Sequence, residues 1–83
     1  MTAIREYDVV RVRSLEGATF DEFGLGCRPP VIGDTGAVVC LLSADGQPDR
    51  LMVECVMSDG TTAWIASFPA HVLERIESSE TAR

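Results

Sequence analysis

Three cysteines, one histidine and thirteen carboxylates are the side chains of this chain best suited to chemistry, and their spacing limits what they can do. Cys27, Cys40 and Cys55 lie thirteen and fifteen positions apart. Metal sites usually present close pairs such as C-x-x-C with histidine partners, and here the single histidine is His71, so no metal or cofactor is assigned. Cys27 sits beside Arg28, whose charge would favour a thiolate, but no base stands at a fixed spacing from it and an ordinary loop thiol is the simpler reading. His71 follows Phe68-Pro69-Ala70 without a second histidine or a nucleophile nearby, and Glu74 and Glu77 read as surface charges. The glycine pairs Gly24/Gly26 and Gly33/Gly36 do not open a helix after a strand, so they are turn residues and not phosphate loops. Tyr7, Phe20, Phe23, Trp64 and Phe68 could line a proline-peptide groove only if several were exposed together, and aromatics in so short a chain are needed for the core. No catalytic constellation emerges, and the expectation is a protein that is not an enzyme.

Composition narrows the partners. The 83 residues carry seven arginines, no lysine and a formal charge of −6, a balance that repels phosphate backbones and makes nucleic acid a poor candidate ligand. A protein partner or self-association fits better. The first residues contain no apolar leader, and the longest apolar run, Ala37 to Leu42, is far too short to span a bilayer. The reducing cytoplasm is the expected compartment, where the cysteines remain free thiols.

The elements that position these residues follow from alternation and turn chemistry. Tyr7 to Arg13 alternates as a strand with Val10 and Val12 inward and Arg11 and Arg13 outward. Ser14 to Asp34, with its glycines and Pro29-Pro30, reads as a long loop pinned by Phe20, Phe23 and Leu25. Strands are expected over Gly36–Ser43, Arg50–Met57 and Thr61–Ser67, with a turn at 44–49 and an Asp59-Gly60 hairpin turn. A tight helical turn at Phe68–His71 leads into a last short strand, Val72–Ile76, and the tail 77–83 has nothing to bury. One domain of 1–83 results, with its core within about 6–76. Five short strands, a long loop after the first and a tight turn before the last define an all-β, five-stranded SH3-like barrel.

Register then predicts faces. A two-residue turn at Asp59-Gly60 sets Met57 opposite Thr62, Cys55 opposite Trp64, Glu54 opposite Ile65 and Val53 opposite Ala66. Glu54 is costly to bury unpaired, so its face points out and the Cys55/Trp64 face points in. Leu42 opposite Leu51 brings Val38 and Cys40 to the inner face as well, with Cys40 and Cys55 diagonal and too far apart for a disulfide. The expected core is Val10, Val12, Val38, Cys40, Leu42, Leu51, Val53, Cys55, Trp64, Ala66, Val72 and Ile76. The same alternation drives Leu41, Met52, Val56, Ala63 and Ile65 out around Glu54, forming a candidate interaction surface. Either the Ser14–Asp34 loop or another protein covers it.

Gly33-Asp-Thr-Gly36-Ala-Val-Val, Val53-Glu54-Cys-Val, Ser58-Asp-Gly-Thr61 and the ending Phe68-Pro-Ala-His-Val-Leu73 resemble a group of small bacterial single SH3-like barrel domains of unknown function. More loosely, the chain is similar to the C-terminal barrel of the nitrile hydratase β subunit and to KOW-type ribosomal segments. The resemblance spans roughly residues 7–76, departs from the pattern at Cys27-Arg-Pro-Pro-Val, and carries no catalytic residues. It implies the barrel shape and little about activity. The apolar outer face and the acidic charge favour a non-enzymatic interaction module: an accessory or regulatory subunit, a homo-oligomer, or an acidic protein that neutralises a basic toxin. The alternative is a KOW-like nucleic-acid-binding barrel, supported only by Arg11, Arg13 and Arg28. A thiol activity at Cys27 is the weakest reading.

Overall fold

A computed structural model describes residues 4–20, 28–42 and 50–77. Phe23, Leu25, Cys27, the turn at 44–49, the tail beyond Glu77 and the Phe20 side chain lie outside the described residues. The elements in order are β1 (Val9–Val12), β2 (Thr19–Phe20), β3 (Thr35–Leu42), β4 (Arg50–Val56), β5 (Thr62–Pro69), a 3-10 turn (Ala70–Val72) and β6 (Leu73–Glu77). The fold is all-β and barrel-like. Neighbouring strands pair antiparallel in the order β2-β5-β4-β3-β1-β6, and β2 and β6 end the ladder without pairing to each other.

Five of these strands match the expected ones within two residues, because β-branched alternation and Asp/Gly/Pro punctuation bound each run. β2 is the addition. Its two residues pair with Ser67 and Ala66, while the Arg28 N–H donates to the Ala63 carbonyl at 3.1 Å. Both described flanks of the long loop therefore attach along the free edge of β5, where unpaired backbone groups need partners.

The β4–β5 hairpin keeps the expected central register: Val53 faces Ala66, Glu54 faces Ile65 and Cys55 faces Trp64. Its turn differs. Gly60 alone adopts positive φ (92°), whereas the two-residue turn favoured by Asp-Gly needs positive φ at both centres. Ser58-Asp59-Gly60 instead forms a three-residue loop closed by Met57 N–H donating to the Thr61 carbonyl (2.7 Å). The Asp59 carboxylate accepts the Thr61 hydroxyl and backbone N–H (2.7 and 3.0 Å), and these bonds hold its pKa below the ordinary value. A bulge then follows, so Val56 rather than Met57 opposes Thr62, and Ala63 becomes the extra residue.

A second bulge at Val39 shifts β3 against β4. Val38 faces Val53, but Cys40 faces Met52 and Leu41 faces Leu51, in place of the expected Leu42–Leu51 pair. Cys40 is thereby turned to the face of Met52, away from Cys55. β6 starts with Leu73 paired to buried Val12, so Leu73 is buried and Ile76, on the side of Glu74, is 42% exposed; a third irregularity lies between Val9 and Val10, opposite Arg75 and Glu77.

Val10, Val12, Val38, Leu51, Val53, Cys55, Ala63, Trp64, Ala66, Phe68, Val72 and Leu73 make the core. Relative to the sequence expectation, Cys40, Leu42 and Ile76 leave it, and Ala63, Phe68 and Leu73 join it. Trp64 and Phe68 meet edge-to-face, with ring centroids 5.7 Å apart and an interplanar angle of 67°. Asp8 is fully buried at the entry to β1, where its carboxylate accepts the Arg5 N–H (2.8 Å) and faces Arg75 (3.8 Å).

Close approach of β3 and β4 requires Gly36. A Cβ at this position would lie 2.5 Å from the Glu54 carbonyl oxygen and 2.8 Å from Val53 Cγ1. Backbone cannot yield as a side-chain tip can, so Gly36→Ala is expected to cost about 2–3 kcal/mol, at the upper end for overpacking. A denaturant midpoint within error of the wild type would show that the two strands can separate at this point.

Candidate interaction surface

The outward face of β3, β4 and β5 is built by alternation about Glu54. In register with Glu54 stand Ala37 on one side and Ile65 on the other; in register with Met52 stand Cys40 and Ser67. Val56 continues the face beside Thr62. Ala37, Cys40, Met52, Glu54, Thr62, Ile65 and Ser67 are half-buried and Val56 is 52% exposed. Glu54 is the charge at the middle of the face, and its carboxylate accepts the Thr62 hydroxyl at 2.9 Å; Arg50, on the same side of β4, ends the face with its guanidinium donating to the Ser67 hydroxyl.

Four of the six expected surface residues, Met52, Glu54, Val56 and Ile65, are thus brought together. Ala63 is not: it is completely buried, because the bulge before Trp64 places two consecutive β5 residues in the core. Leu41 is 49% exposed but lies in register with buried Leu51, on the opposite side from Met52. Cys40 and Ala37 take its place on the face. Sequence alternation could not find them, since the Val39 bulge reverses the phase of the strand after it.

Charged groups elsewhere are committed to the fold. Arg11 and Arg13 both reach Glu74 (3.4 and 2.9 Å). Arg28 grips the Asp34 carboxylate with two nitrogens (2.7 and 3.2 Å). Arg50 donates to the Gly17 carbonyl (2.6 Å) and to the Ser67 carbonyl (3.0 Å) and hydroxyl (3.1 Å), tying the Gly17 turn to β5. Asp34 also accepts the Val31 N–H (3.0 Å) and the indole N–H of buried Trp64 (2.8 Å). This cluster escaped sequence reading because its members are brought together only by the fold.

Among the described residues, no group of three or more His, Cys, Asp or Glu is placed to hold a metal ion. No described helix is long and apolar enough to cross a membrane. Cys40 and Cys55 are free thiols on opposite faces of the sheet. Burial pushes the Cys55 thiol up, and the nearby Asp34 charge adds to the effect, so little thiolate forms. Cys40, half-buried on the outward face, is expected to react with a thiol reagent at least tenfold faster than Cys55, which should label only on unfolding. Mass spectrometry of a timed labelling series checks the order; equal rates would place both thiols on one face.

No family model matches the chain, and neither a curated protein nor a solved structure is significantly similar to it.

Proposed function

We propose that this chain is an SH3-like barrel serving as a non-enzymatic protein-interaction module, an accessory or regulatory subunit of the cytoplasm, with the outward β3–β4–β5 face as its contact surface. The observation carrying this reading is the grouping of Ala37, Cys40, Met52, Val56 and Ile65 around Glu54, with Arg50 at the end of the face held by Ser67. Apolar side chains gathered on a sheet face gain by being covered. The placement of β1 between β3 and β6, with a 3-10 turn joining β5 to β6, supports the SH3-like assignment. A KOW-like nucleic-acid role has weaker support, since Arg11, Arg13 and Arg28 are engaged by Glu74 and Asp34.

The test compares co-purification from extracts of the source organism using wild type and Ile65→Glu. The variant should keep the wild-type circular dichroism and melting temperature, because Ile65 is not in the core, yet lose the partner by tenfold or more. Undiminished recovery of the same partner with a folded Ile65→Glu would move the contact surface elsewhere.

A further inference from the structure

We infer that residues 28–32 are a hinged strap across the Trp64 end of the barrel, turning at Gly33 and caught by the Asp34 carboxylate, which opens while the barrel itself stays folded. The strap starts beside one strand and ends beside another. At its start the Arg28 N–H donates to the Ala63 carbonyl of β5 (3.1 Å), and just past its end the Gly33 N–H donates to the Val12 carbonyl of β1 (2.8 Å). It therefore crosses the end of the barrel where the Trp64 indole reaches Asp34 (2.8 Å). Its side chains add little to the core. Pro30 is buried, but Pro29, Val31 and Ile32 are exposed, and none of the four belongs to the apolar core cluster.

Polar contacts hold the strap instead, and they converge on one side chain. The Asp34 carboxylate takes two nitrogens of Arg28 (2.7 and 3.2 Å) and the Val31 N–H (3.0 Å), and the Asp34 N–H donates to the Val31 carbonyl (3.1 Å). Asp34 is itself anchored to the barrel, its carbonyl accepting the Val12 N–H (2.8 Å) and its carboxylate the indole. The catch thus belongs to the barrel and the groups it holds belong to the strap. Between them lies Gly33, at φ 98° and with no atom within 4 Å of where a Cβ would be. A glycine in open space changes conformation without steric cost. Segments with few buried apolar contacts and solvent-facing hydrogen bonds open at less cost than the whole domain. Opening exchanges the bonds of Arg28, Val31 and Gly33 for water and leaves the β3–β4 and β4–β5 ladders intact. It bares the Asp34 carboxylate and the indole edge of Trp64 together at the mouth of the barrel.

The test is amide hydrogen exchange of the whole chain, followed by NMR at rising urea below the unfolding transition. The Val31 and Gly33 N–H groups should exchange at rates that urea hardly changes, while the Val12 N–H follows the steep dependence of global unfolding. Leu51→Val, a core change toward the far end of β4, should speed exchange at Val12 roughly fivefold and leave Val31 and Gly33 at their wild-type rates. Arg28→Gln should speed Val31 and Gly33 roughly threefold, the effect of losing a partly exposed ion pair. Strap amides that accelerate with Val12 in Leu51→Val, or that share its urea slope, show release only on global unfolding and overturn the inference. Unchanged exchange at Val31 and Gly33 in a folded Arg28→Gln overturns Asp34 as the catch.

Discussion

Replacing Trp64 with alanine should lower the stability of this domain by ~3–5 kcal/mol. The indole is buried, packs edge-to-face on Phe68, and lies opposite Cys55 at the centre of the β4–β5 pairing. Removing it opens a void that the surrounding valines can fill only by bending strands. The loss is a large share of the total, since a chain of this length has ~4–12 kcal/mol of stability altogether. Trp64→Phe keeps most of the ring volume but removes the indole N–H, and should cost ~1–2 kcal/mol by leaving Asp34 one donor short. Urea denaturation followed by circular dichroism separates the two variants. A loss below 1 kcal/mol for Trp64→Ala would mean that the inner face of the hairpin is not where the domain's stability resides.

Asp34→Ala should cost about 2–3 kcal/mol, mainly because the buried indole N–H of Trp64 loses its acceptor. The Arg28 pair itself contributes little to that figure, because the guanidinium side chain is 41% exposed and screened by water. Acidity provides a second readout. Burial alone would raise the Asp34 pKa, but the hydrogen bonds from Arg28, the Val31 N–H and the Trp64 indole, with the Arg28 charge, bring it below the ordinary value. A carboxylate with a depressed folded pKa binds fewer protons folded than unfolded, so its contribution is present above the unfolded pKa, ~3.9. It declines as pH falls toward and through the folded value. Asp34→Asn retains an acceptor for the indole, so it should cost less than Asp34→Ala and flatten the stability–pH curve below about pH 4. An unchanged acid slope in Asp34→Asn would assign the acid sensitivity to other carboxylates.

The bulges connect these stability effects to the interaction face. Each lets a strand turn around the small core while redistributing side chains between inside and outside. The bulge at Val39 sends Cys40 outward, and the one before Trp64 sends Ala63 inward. Glu54 and Ile65 lie in the regular segment between the bulges, so their outward placement is shared by the expected register and the observed one.

Local sequence determined the strands and the middle of the hairpin. Val/Ile/Thr alternation bounded by Asp-Gly and Pro located five strands within two residues, and the cost of burying Glu54 oriented β4 and β5 correctly. It also placed Val10, Val12, Val38, Leu51, Val53, Cys55, Trp64, Ala66 and Val72 in the core. Tertiary structure alone decided the rest. A bulge adds one residue without changing composition, and whether a strand takes one depends on how sharply the sheet must coil around its neighbours. That is why Cys40 and Ala63 lie on faces that simple alternation does not predict; Leu73 and Ile76 differ because β6 starts after the 3-10 turn with Leu73 against buried Val12, which puts Ile76 on the outer side with Glu74. Asp34 reads in sequence as a turn residue between Gly33 and Thr35. Only folding brings Trp64, thirty positions away, and Arg28 onto its carboxylate, because a buried indole N–H and a partly buried charge must each find a partner wherever the chain can supply one.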